Sequence, residues 1–150
     1  MKTILAPIDF SAVSDAVVKA AVNLARAING RLVLLHIVQP PVITSEYGAV
    51  LANIQEIVAT SEATARRQLL SQKKRLQRNG LKVGIALLTG GPVPLILEQA
   101  GKSRATYIVM GSHGHSALYD LLAGSTATGV VKQSPCPVVI VPPAKKKSAK

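Results

Sequence analysis

Leu32-Val33-Leu34-Leu35-His36-Ile37-Val38 is an almost uninterrupted apolar run of strand length, broken only by one imidazole. A strand that faces water on one side alternates apolar and polar residues; one covered on both faces does not need to. This segment therefore reads as an inner strand of a parallel sheet with helices on either side. Upstream, Met1 to Ile8 is a second short apolar run, closed by Pro7 and Asp9. Between the two, Val13, Val17, Ala20, Leu24 and Ile28 recur at helical spacing, with Ser11 as the expected N-cap, Asp15 in the first turn and Gly30 as the expected C′ residue.

The same rhythm continues downstream. Pro40-Pro41 forces a loop, and from about Val50 the stripe Ile54, Ile57, Val58, Ala65, Leu69, Leu76 predicts a helix of some seven turns ending at Asn79-Gly80. Lys82 to Leu88 reads as a third strand, Gly90-Gly91-Pro92 as the start of a helix, and Thr106 to Met110 as a fourth strand. Gly124 to Gln133 is a last helix stopped by Ser134-Pro135, and Pro137 to Pro142 a proline-bracketed fifth strand. Strands and helices that alternate in this way imply one doubly wound α/β domain over residues 1–143, a Rossmann-like five-stranded parallel sheet. Residues 144–150, with four lysines, read as a disordered basic tail.

Composition narrows the function classes. The 150 residues are 48% hydrophobic and 3% aromatic, enough for an aliphatic core in one domain. No apolar stretch approaches the ~18 residues of a membrane span. A single cysteine, Cys136, excludes an internal disulfide framework and reads as a small buried apolar residue. The N-terminus lacks the h-region of a signal peptide, so a reducing cytoplasm is the expected compartment. The formal charge of +11 is lopsided: residues 1–62 carry 4 basic and 5 acidic side chains, residues 63–150 carry 14 and 2. Arg66, Arg67, Lys73, Lys74, Arg75, Arg78 and Lys82 fall in an acid-free interval between Glu62 and Glu98. Such a run is a solvated helical face that could attract nucleic acid or an anionic membrane nonspecifically, but stacking aromatics and base-reading motifs are missing.

In doubly wound sheets ligands bind at the carboxyl ends of strands where the winding reverses, which directs attention to the loops after strands one and four. Strand four empties into Gly111-Ser112-His113-Gly114-His115-Ser116, and Gly124-Ser125-Thr126 opens the next helix, a G-x2-G-x9-G-S pattern. Glycines let backbone amides approach an anion closely. A helix start adds unpaired N–H groups, partial positive charge and here two hydroxyls. The combination describes a polyphosphate cradle. Gly101-Lys102-Ser103 mimics the end of a Walker A loop, but Ile96 stands at the upstream glycine position and the segment enters a strand. Asp9 is a possible general base, yet it has no second carboxylate nearby and no nucleophile with an orienting partner, so at most slow hydrolysis is expected. His36 reads as a hydrogen-bonded structural residue, and His113 and His115 lack the further ligands of a metal site.

These segments resemble the universal stress protein family over nearly the whole chain. The resemblance is carried by Ile4 to Ser11, Leu34 to Val38, Gly91-Pro92 before Ile108 to Gly111, the glycine motif, and Ser134 to Pro142; the long motif marks the ATP-binding branch. Ala105-Thr106-Tyr107 departs from the acidic residue many members have there. The resemblance implies strand order 3-2-1-4-5, a homodimer, and a site for ATP or AMP with Mg2+. It would place Asp9 at the ribose and metal, the Val38 backbone at the adenine, and Gly111, Gly114, Gly124, Ser125 and Thr126 at the phosphates. Pro7, Ile8, Val38 and Met110 would form an apolar slot for a planar base. Val138-Val139-Ile140-Val141, apolar on both faces, is the expected dimer edge. The expected role is a stress-response or signalling module whose nucleotide occupancy tunes its partners.

Overall fold

The computed structural model describes residues 1–41, 49–112 and 124–143, and the side chains of these except 49–52. The chain order is β1 (Thr3–Pro7), α1 (Ala12–Ala27), β2 (Arg31–Val38), α2 (Ala49–Arg78), β3 (Val83–Thr89), α3 (Pro92–Lys102), β4 (Tyr107–Gly111), α4 (Ser125–Gln133) and β5 (Val138–Val141). The five strands form one parallel sheet in the order β3-β2-β1-β4-β5. This is the doubly wound architecture expected from the alternating strands and helices and the strand order implied by the resemblance, and the winding reverses between β1 and β4.

Period-two alternation sends successive side chains of each strand to opposite faces. On one face Ile4, Ala6, Leu32, Leu34 and Val109 pack with Val17, Val18 and Ala21 of α1 and Leu69 and Leu76 of α2. On the other, Leu5, Val33, Leu35 and Ile108 pack with Ile96 and Ala100 of α3 and Ala127 and Val130 of α4. Most of these are fully buried, each Val, Leu or Ile among them contributing roughly 1.5–3 kcal/mol. Both faces of β1 and β2 are covered, which accounts for their near-continuous apolar runs.

Several local expectations shift. The buried stripe of α1 is Ser14, Val17, Val18, Ala21, Val22 and Ala25, whereas Val13, Ala20, Leu24 and Ile28 only flank the core. In α2 the stripe buries at Ala65, Leu69 and Leu76, while Ile57 is 53% exposed. A helix of 30 residues spans about 45 Å, more than the short strands beneath it can cover. The left-handed residue ending α1 is Asn29 (φ 52), not Gly30. Gly30 serves close approach instead: a Cβ there would sit 2.8 Å from the Lys2 carbonyl oxygen. Gly129 does the same between α3 and α4, where a Cβ would meet Val93 at 2.9 Å. Cys136 is half-buried instead of buried, packed at the margin of the α3–α4 layer. The basic tail lies outside the described residues.

Candidate functional site

A cleft of about 330 Å³ opens at the carboxyl ends of the strands, over the switch point between β1 and β4. That volume is at the small end of the ~300–1,000 Å³ usual for small-molecule sites. Its walls come from the β1–α1 loop on one side and from Gly111, Ser112 and the start of α4 on the other, with Leu35, Ile37, Ile96 and Met110 supplying apolar surface.

The β1–α1 wall is held by hydrogen bonds. Ile8 N–H donates to Leu35 O at 2.8 Å, extending the β1–β2 pairing past the strand. Asp9 Oδ1 accepts from Ser11 N–H and from Ser14 Oγ, both at 3.0 Å, and Asp9 N–H reaches the same Ser14 hydroxyl at 3.3 Å. This is an Asx turn, in which a short carboxylate substitutes for a backbone acceptor. It is closed by a serine 4% exposed. Between them Phe10 adopts φ 59, a left-handed conformation that L-residues with bulky side chains avoid. Ser11 has N-cap dihedrals (φ −73, ψ 174) but makes no side-chain cap bond; its Oγ, buried at the rim of the cleft, has no partner among the described residues.

The facing wall is mostly main chain. Ser112 N–H donates to Val141 O at 3.0 Å and Gly124 N–H to Ser112 O at 2.6 Å, tying the start of α4 to the end of β4. Gly124 is the N-cap, in extended conformation, and carries no side chain to cap the helix. The first intrahelical bond is Thr128 N–H to Gly124 O, 3.0 Å. The amides of Ser125, Thr126 and Ala127 precede it, and all three residues line the cleft. Such amides have no acceptor within their own helix, and with the helix's partial positive charge they suit an anion.

Of the residues expected at the site, Pro7, Ile8, Asp9, Met110, Gly111, Gly124, Ser125 and Thr126 are brought together here. Val38 does not line the cleft: it is 6% exposed, and its carbonyl accepts from Gly90 N–H at 2.9 Å. Its neighbours Ile37 and Gln39 line it instead, as strand alternation from Leu35 dictates. Gly114, His113 and His115 lie outside the described residues. Ser14, which fixes Asp9 twice, was not anticipated; its only signal is its place one turn into α1 on the buried face. His36 is hydrogen-bonded as expected, its Nδ1 2.8 Å from Ile8 O. Among the described residues no three His, Cys, Asp or Glu side chains cluster to hold a metal ion, and no helix is long and apolar enough to cross a membrane.

Fold and cleft together define a doubly wound α/β protein with a ligand site at its topological switch point. The universal stress protein family model matches residues 1–142, and the chain belongs to that family. It is 30% identical over 146 residues to universal stress protein MJ0531 of Methanocaldococcus jannaschii, covering 97% of this chain and 84% of that one. The solved structure of MJ0577 from the same organism superposes with a TM-score of 0.81 at 29% identity, covering 98% of both chains. A universal stress protein solved in complex with cAMP has the same fold (TM-score 0.69, 23% identity, 95% of this chain and 98% of that one). So does one from Archaeoglobus fulgidus in complex with dAMP (TM-score 0.64, 19% identity, 93% and 97%).

Proposed function

We propose that this protein binds an adenine nucleotide, ATP or AMP, in the cleft at the β1–β4 switch point. The observation that carries the reading is the pairing of two unlike walls: a carboxylate fixed by an Asx turn faces a helix start whose N-cap is a glycine. Ser125, Thr126, Gly111 and Gly124, with Gly114, would take the phosphates through main-chain amides and hydroxyls. Asp9 would take the ribose, and Pro7, Ile8 and Met110 the base, with the Val38 main chain as a further contact. Family members of this fold solved with cAMP and dAMP support an adenine nucleotide as the ligand class.

One carboxylate together with nucleotide phosphate oxygens is a donor set that suits Mg2+, which seldom uses an all-protein cage. The ion would neutralise phosphate charge; Asp9 is the residue that would hold it. Asp9, a carboxylate lining the cleft, is engaged by Ser11 N–H and Ser14 Oγ, so the chain would bind nucleotide and turn it over at most slowly. Occupancy would then act through the surface, changing which partners the protein meets in the cytoplasm.

The unit that binds would be residues 1–143, with 144–150 a basic appendage, and it would work as a homodimer. β5 is an edge strand with Val139 37% exposed; pairing with a second β5 would cover it. Native mass spectrometry of the purified protein tests the nucleotide reading: the expected species carries one adenine nucleotide per chain, and a nucleotide-free protein that also ignores added millimolar ATP would overturn it.

One further observation favours an additional contact. Arg66, Arg67, Lys74, Arg75, Arg78 and Lys82 are exposed, and none pairs with a carboxylate among the described residues, where the one ion pair is Lys102–Glu98 at 2.6 Å. Weak, salt-sensitive attraction to a polyanion follows from that charge.

A further inference from the structure

His36 interrupts the aliphatic run Leu32 to Val38 of β2, and its ring does two things at once. Nδ1 lies 2.8 Å from Ile8 O; because a carbonyl can only accept, Nδ1 carries the proton and donates. The ring also lies against Phe10, centroids 4.6 Å apart and planes at 34°. Ile8 and Phe10 are the two chain neighbours of Asp9. The imidazole therefore grips the loop on both sides of the residue that lines the cleft.

Phe10 makes that grip necessary. A non-glycine residue held at φ 59 is strained by roughly 1–3 kcal/mol and persists only where its surroundings over-determine it. On the His36 side of the loop lies an open groove of about 390 Å³, bounded by Asp9, Phe10, His36, Thr60, Thr64 and Gln68. Phe10 packs only partly against the α1–α2 side of the core, and the His36 contacts add to that packing and to the Asp9–Ser14 bonds in holding the turn. Once Phe10 is left-handed, Ser11 N–H is brought to Asp9 Oδ1 at 3.0 Å, and Ser14 completes the arrangement.

We propose that His36 is a positioning residue for nucleotide binding, holding Asp9 in the cleft by bonding Ile8 O and stacking on Phe10. The proposal rests on the nucleotide reading above. His36 does not touch the ligand; it acts through Asp9, so its effect must vanish when Asp9 is gone.

The test is a double-mutant cycle of His36→Ala and Asp9→Ala, read by calorimetric titration with Mg-ATP and by hydrogen exchange of the Ser11 amide. His36→Ala should weaken ATP about tenfold in the wild-type background and less than twofold in the Asp9→Ala background. Ser11 protection should fall in His36→Ala without any nucleotide present. His36→Asn, which keeps a donor but no ring, and His36→Phe, which keeps a ring but no donor, should each lose part of the affinity, and they decide the matter if the alanine variant folds poorly. An unchanged ATP affinity in all three variants, or an equal loss in both backgrounds, would overturn the proposal, since a merely structural histidine lowers Tm without coupling to Asp9. If the wild type itself gave no heat with ATP, the nucleotide reading would fall, and unchanged Ser11 protection in His36→Ala would separately refute the grip on the loop.

Discussion

The two ends of the same sheet are built in opposite ways. At the amino end of the strands, polar groups are used up on one another. Thr3, 1% exposed, donates its N–H to Thr106 Oγ1 at 3.1 Å; its carbonyl accepts from Thr106 N–H at 2.7 Å and its Oγ1 from Arg31 Nε at 3.0 Å. Lys2 O accepts from Arg31 N–H at 2.9 Å, and Gly30 packs directly on that carbonyl. At the carboxyl end the chain leaves a cleft, a strained Phe10, a buried Ser11 hydroxyl without a partner among the described residues, and a helix capped by a glycine. A closed polar network stabilises the fold; donors left facing a cavity are what a ligand can use. Substitutions at the amino end should therefore change stability and spare binding, and those at the carboxyl end the reverse.

The largest separation should come from Gly124→Val. Gly124 lies at φ −69, ψ 168, which valine adopts without strain, so the side chain would project at the cleft's rim. ATP affinity should fall at least about a hundredfold. Stability should drop only by about the 1 kcal/mol that an apolar N-cap costs, a Tm change of ~2–4 °C at this size. Calorimetric titration and thermal melts on the same preparation measure both.

At the other end, Thr106→Val leaves the buried Thr3 N–H without its acceptor, an expected loss of ~1–3 kcal/mol in urea unfolding with an ATP dissociation constant within twofold of wild type. A comparable loss of affinity would break the comparison. Ser125→Ala sharpens it from the binding side: removing one hydroxyl donor to a charged acceptor should weaken ATP about tenfold or somewhat more, from the ~1.5–3 kcal/mol of such a bond. Melting should hardly change, since Ser125 makes no cap bond in α4.

The smallest effect belongs to the face that takes part in neither end. Retention on heparin should be weak and should fall steeply with salt, and Arg67→Glu with Lys74→Glu should shorten it without altering ATP affinity. Retention that survived high salt would mark a specific interface on α2.

What could be read in advance follows from what each feature depends on. β2 was legible because burial on both faces removes polar residues from a strand, and the βα rhythm then leaves few topologies. The placement of Gly111 at a strand end and of Gly124, Ser125 and Thr126 at a helix start was legible because a strand followed by glycine and a helix start is a local pattern. Ser14 was not, because its role depends on a turn whose closure requires Phe10 to take a conformation that no residue type announces. In the apolar slot Ile37 and Gln39 take the place expected of the Val38 side chain, because alternation from Leu35 turns that side chain away; the main-chain contact implied by the resemblance does not depend on it. The stripe of α2 was legible as a helix but not in its extent of burial, because that depends on how far the sheet runs beneath it. The end of α1 differs for a related reason: Asn29 tolerates the left-handed region, and Gly30 is required by the Lys2 carbonyl just ahead of β1.

The measurement that tests the location of the site most directly is a titration of the isotope-labelled protein with Mg-ATP, followed by amide resonances. The amides of Ser11, Ser125, Thr126 and Ala127 should move together and saturate at one nucleotide per chain, while those of Gly30, Arg31 and Thr106 stay in place. Shifts confined to the amino end of the strands, or spread along α2 and abolished by salt, would contradict a nucleotide site at the β1–β4 switch point.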